Sequence, residues 1–148
     1  MNWRAFSVLA MLAACWGTAH AVDLVTPQEM QASMAAPEPL LAKTGYAPGA
    51  PLIEVLAPRL GAPISSPSNI ELLFQSTATS VVRPETFKVL YGRLRIDITQ
   101  RLVNAAKVTP QGITVKEASL PKGSHLLQLS VEDTEGRRGQ KTIEFEVN

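Results

Sequence analysis

The chain has 148 residues, with 14 Lys and Arg, 13 Asp and Glu and a net charge of +1 at pH 7. That balance gives no electrostatic pull toward nucleic acid or an anionic membrane surface. A single cysteine, Cys15, rules out an internal disulfide, and the length suits one domain.

Residues 1–21, MNWRAFSVLAMLAACWGTAHA, carry Arg4 as their one charged side chain, an apolar run over 5–14 and the ending Ala19-His20-Ala21. A basic start, a short apolar stretch and a small-x-small close predict a secretory signal peptide cut after Ala21. The apolar run is too short to span a bilayer. The mature chain then starts at Val22, has no thiol, and without Arg4 holds 13 basic against 13 acidic residues. Its packed interior alone must hold the fold. A second reading stays open, because Leu12-Ala13-Ala14-Cys15 looks like the lipobox of bacterial lipoproteins, with Cys15 lipidated and an outer-membrane location. Otherwise the expected location is periplasmic or secreted.

After the leader, Thr26 is placed to cap a helix, Pro27 takes its first position, and Glu29 lies three residues after the cap, so a short helix is predicted over 27–36. PEPLLAKTGYAPGAP, residues 37–51, holds four prolines and two glycines and reads as a linker. The expected organisation is a leader at 1–21, helix and linker over 22–50, and a folded domain over 51–148.

From residue 52 the apolar period is two, which suits a half-buried strand and not a helix. Strands are predicted at 52–56, 69–76, 86–91, 94–99, 112–118, 125–132 and 141–147. Their inward sets include Ile53 and Val55; Ile70, Leu72 and Phe74; Phe87, Val89 and Tyr91; Leu94, Ile96 and Ile98; Ile113 and Val115; Leu127, Leu129 and Val131; and Ile143, Phe145 and Val147. Residues 100–112 admit a strand or a helical turn around 101–104, with a turn at 110–112. About seven short alternating strands separated by turn signals indicate two antiparallel sheets packed face to face.

The segments LPKGSHLLQLSVEDTEG, SPSNIELLF and VVRPETFKVLYG together resemble the bacterial immunoglobulin-like and fibronectin type III-like domains of exported proteins. The resemblance spans 52–148 and implies an all-β, immunoglobulin-like antiparallel β-sandwich. Such folds carry many unrelated functions. In them a tyrosine often opens the penultimate strand and ties the corner to nearby backbone. Here His125 holds that place, two residues before Leu127. Its parity turns it inward, so a structural corner is expected, with a metal ligand or pH switch as the alternative. Asp133 and Gly136 read as turn formers, the first bonding backbone two residues on, the second free to take positive φ. Arg137 and Arg138 would pair with acids across that hairpin. Asp133 and Glu135 offer too few oxygens for calcium.

Catalysis finds little support: the mature chain has one histidine, no cysteine, and no phosphate-loop, dinucleotide or serine-nucleophile motif. The cluster Arg95, Asp97 and Thr99 reads as a solvated sheet face. No enzyme activity, metal or cofactor is expected. A carbohydrate-binding module would need exposed aromatic platforms. Trp3 and Trp16 lie in the leader and the phenylalanines are assigned to the core, which leaves Tyr46 and Tyr91. The expected function is therefore a periplasmic or cell-envelope protein-interaction or structural module with an unknown envelope partner. Met30 and Met34 on the helix are the candidate contact surface, and Lys141, Glu144 and Glu146 are read as guards against strand pairing.

Overall fold

A computed structural model describes residues 21–38, 40, 47–77 and 79–148. The leader before Ala21, including Cys15, and the linker residues 39 and 41–46, including Tyr46, lie outside the described residues.

In chain order the elements are β1 (Val22–Asp23), α1 (Pro27–Ala35), β2 (Leu52–Ala57), β3 (Ser68–Gln75), β4 (Val82–Tyr91), β5 (Ile96–Asp97), α2 (Thr99–Ala105), β6 (Ala106–Thr109), β7 (Gly112–Ser119), β8 (Gly123–Asp133) and β9 (Arg138–Val147). One sheet runs β1-β7-β3-β2, with β6 also paired to β7; the other runs β5-β4-β8-β9. Every pairing is antiparallel except β1 with β7. The two sheets pack face to face as the β-sandwich expected from the alternation.

Inward positions of both sheets make one core, and its most enclosed members include Val89, Tyr91, Ile113, Val115 and Val131, each at 1% exposure or less. Phe74 of one sheet meets Phe87 of the other at a ring-centroid distance of 5.7 Å and a tilt of 44°, a favourable aromatic geometry. At roughly 1.5 to 3 kcal/mol per large side chain removed from water, these positions are the main term opposing chain entropy.

Several expectations are corrected. Residues 94–99 do not form a full strand: β5 is two residues long, Arg95 takes φ 54°, and Leu94 is 53% exposed instead of inward. Gly92, at φ 68°, begins the turn that breaks the alternation. The ambiguous stretch after it is a helix followed by a strand, with Leu102 of α2 buried and Pro110-Gln111 joining the β6–β7 hairpin. β4 begins at Val82, four residues earlier than predicted, because Pro84 sits in a bulge. Proline removes a ladder donor there. Thr86 repairs the pairing by accepting from Glu132 N–H at 2.8 Å.

The helix is present with its capping box complete: Thr26 accepts from Glu29 N–H at 3.2 Å and Glu29 accepts from Thr26 N–H at 2.9 Å. It does not stand apart, however. Leu24 and Val25, just before it, are 1% and 3% exposed members of the same core. Leu24 N–H continues the β1 pairing by donating to Ser119 O at 3.2 Å. Residues 22–36 thus pack as part of the sandwich, which moves the physical edge of the folded body upstream of Pro51. The sequence reading missed this because a two-residue parallel strand has no period to detect.

Candidate functional site

The polar groups that could do chemistry are mostly consumed inside the fold. His125, on β8, is 1% exposed. Its Nδ1 lies 3.0 Å from the Tyr91 hydroxyl and its Nε2 lies 2.7 Å from Pro121 O. The carbonyl can only accept, so Nε2 carries the proton and Tyr91 donates to Nδ1. The ring also stacks on Phe145 at 5.5 Å and 24°. Burial pushes the imidazole pKa below its usual range, against the opposing effect of the Pro121 bond. Burial, with a smaller contribution from Glu29, pushes the Tyr91 phenol up to about 12. The pair is a neutral strut that fixes the β8 corner to backbone four residues upstream, with both ring nitrogens of His125 occupied.

Asp133, fully enclosed at the end of β8, is likewise committed. Its carboxylate accepts from Glu135 N–H at 3.0 Å, Arg137 N–H at 2.9 Å and Arg137 Nε at 2.8 Å. Burial pushes this carboxyl up, but the bonds from Arg137, Glu135 and Ser80 outweigh it and hold it below the usual range. Gly136, at φ 75°, donates to Asp133 O at 3.0 Å and closes the turn. Arg138 pairs with Glu132 at 2.6 Å on the surface.

The cluster of Arg95, Asp97 and Thr99 does not share one face. Arg95 lies in the turn, Asp97 is exposed, and Thr99 is 8% exposed with its hydroxyl accepting from Val89 N–H at 2.9 Å. Asp97 accepts from Thr99 N–H at 2.9 Å, and hydrogen bonding to Thr99 lowers its pKa. This is the start of α2, built from local bonds.

Helix α1 is clamped at both ends. Glu29 and Arg101 of α2 form a two-pronged pair, each prong 2.7 Å long. The Arg101 guanidinium, followed by the Thr26 backbone bond, holds the Glu29 carboxyl at about 2. At the other end Arg93 donates to Ala36 O at 3.0 Å and Met34 O at 3.3 Å, placing a cation on the helix C-terminus. Ser33 accepts from Arg93 N–H at 2.9 Å and sits against Gly92, where a Cβ would collide with its hydroxyl. Of the two candidate contact residues, Met30 packs against the core near Gly123, while Met34 is 57% exposed.

The surface feature that sequence reasoning passed over is β2. Its alternation was used only to assign the inward residues, yet the outward set is Leu52 and Leu56, 52% and 50% exposed, with Glu54 between them. Between the sheets, an apolar cavity of about 30 Å³ is lined by Val55, Leu60, Ile64, Leu72, Leu127 and Phe145 among others. It is far below the roughly 150 Å³ that admits benzene, so it reads as a packing gap.

Among the described residues there is no group of three or more His, Cys, Asp or Glu placed to hold a metal ion. No described helix is long and apolar enough to cross a membrane. No protein-family model matches the chain, and no curated protein matches it. Among solved structures it is similar to the crystal structure of CopC from Methylosinus trichosporium OB3b, at 20% identity and a TM-score of 0.39, over 59% of this chain and 84% of that one. The assignment of the fold rests on the sheet pairing described above.

Proposed function

We propose that the protein is a non-catalytic exported module, of the bacterial immunoglobulin-like or fibronectin type III-like kind, that works by binding another protein of the cell envelope. The observation that carries this reading is a contrast within one small body. The buried histidine and the buried aspartate are each saturated by internal bonds, while two leucines, Leu52 and Leu56, stand exposed on either side of Glu54 on an edge strand. Catalysis needs titratable groups that face a substrate. Binding needs apolar surface that faces outward.

A carbohydrate-binding role loses its best remaining aromatic, since Tyr91 is 1% exposed and bonded to His125. Phe74, Phe87 and Phe145 are buried as well. Export rests on the leader sequence, and lipidation at Cys15 is the alternative form of the same module.

Crosslinking in the native envelope followed by mass spectrometry tests the reading. The expected result is a reproducible crosslink from the sandwich to one envelope protein, with Val22 as the first residue. Crosslinks to no protein, together with retention on immobilised polysaccharide, would overturn it; a lipid on Cys15 would replace the free form with the anchored one.

A further inference from the structure

We infer that the outer edge of β2 takes up an extended segment of a partner protein with the pattern apolar-x-basic-x-apolar, which adds to the first sheet as a further strand. This rests on the reading of the protein as an interaction module, and it names the surface and the chemistry of what binds there.

The backbone comes first. Ile53 stands opposite Phe74 in the β2–β3 register, and Val55 stands opposite Leu72. Phe74 N–H donates to Gln111 O at 2.8 Å, away from β2. In an antiparallel pair, residues whose groups do not bond each other both turn them outward. Ile53 and Val55 therefore direct N–H and C=O to the open side, and among the described residues no strand pairs with them. An unpaired row of this kind is a template for another extended chain.

The other edges are partly occupied or guarded, while the outer side of β6 and the bulged start of β4 have no strand partner among the described residues. β6 and β1 cover the outer side of β7. The edge of β9 is bonded near its end, where Ile64 N–H donates to Glu146 O at 2.8 Å and Asn148 N–H donates to Ile64 O at 2.9 Å. At its start Gly139 lies so close to Pro51 O that a Cβ would not fit, a contact that also closes the edge just before β2 and leaves the open stretch at Ile53 and Val55. Lys141, Glu144 and Glu146 lie along it. β5 is only two residues long.

Side chains then select the occupant. Leu52 and Leu56 flank Glu54 on the outer face, with half-buried Leu73 opposite Glu54 on β3. Gln75 holds the Glu54 carboxylate at 2.8 Å and Glu71 pairs beside Ala57, while Lys141 of β9 lines the same groove, so Glu54 is the acidic group that lies between the exposed leucines. An added strand would place apolar residues beside the leucines and a lysine or arginine beside Glu54, and opposite charges across a strand pair are favourable. A second copy is the weaker fit. Two-fold pairing that sets Leu52 beside the other copy's Leu56 sets Glu54 against its own counterpart, and like charges directly opposite are destabilising.

The test uses the exported chain and capped peptides containing leucine-threonine-lysine-threonine-leucine, or the same with glutamate at the centre. The lysine peptide is expected to bind with a Kd about twofold to fivefold lower than the glutamate peptide, the range of a cross-strand charge pair. Glu54→Lys should reverse the preference, N-methylation of the peptide amides should abolish binding, and bound peptide should slow exchange of the Ile53 and Val55 amides. Equal binding of both peptides, or binding indifferent to N-methylation, would overturn the inference. So would β2 amides already protected in the dilute free protein, meaning the chain covers its own edge, or protected only as concentration rises, meaning a second copy does. Envelope crosslinks that persist after any of these results leave the interaction-module reading standing on another surface; their absence removes both.

Discussion

His125 shows how a residue type that suggests chemistry can be used for architecture. A neutral imidazole both accepts from Tyr91 and donates to Pro121 O, one bond at each ring nitrogen. His125→Phe should keep the stacking on Phe145 but leave two buried polar groups unpaired, at a cost of about 2 to 4 kcal/mol in urea denaturation at pH 7. Since the folded pKa lies below the free value of 6.5, the contribution is full above that value and is lost as pH falls through the folded pKa. The wild-type protein should lose stability on acidification from pH 6.5 to 5, and the Phe variant should show a flatter slope there. Parallel slopes would mean that the ring is not buried neutral. The inward direction of His125 was legible from its parity with Leu127. Its partners were not, because Tyr91 lies 34 residues away and only the β4–β8 register brings the two together.

At the scale of elements, the strands with a clean period of two were readable and the stretches without one were not. β3, β8 and β9 fall where the alternation places them, since each buries one face and an error of one residue would expose it. The failures share a cause: β5, α2 and β6 are short, and their form is decided by contacts such as Leu102 in the core and Thr99 on Val89. Helix α1 was legible from its cap, but its docking was not, because the clamp depends on Arg101, 72 residues on. Thr26→Ala should cost about 1 kcal/mol, the usual value of a lost N-cap. Glu29→Gln should also cost about 1 kcal/mol at neutral pH, since Arg101 remains 42% exposed and solvent screens the pair. With a folded pKa of about 2 against an ordinary 4.5, that contribution holds above pH 4.5 and disappears as pH falls toward 2. Thermal melts of the two proteins should therefore converge on acidification; a constant gap would show that Glu29 acts through packing instead.

For the whole molecule, a single interior is formed by both sheets and by the segment that precedes the linker. Phe74→Asp would place a charge against Phe87 and should abolish the cooperative melting transition. Leu24→Ala should cost about 2 to 5 kcal/mol, as for other large-to-small changes in a closed core. A Leu24→Ala protein as stable as its parent would detach residues 22–36 from the domain. With its polar interior self-satisfied, the sandwich turns Leu52 and Leu56 of β2 outward, and that asymmetry is the basis of the functional account. Backbone amide exchange, followed residue by residue by NMR in the dilute free protein, reads it directly. Leu52 and Glu54, bonded to β3, should exchange slowly while Ile53 and Val55 exchange fast; uniform protection along β2, or uniform exposure, would contradict the open edge on which the account depends.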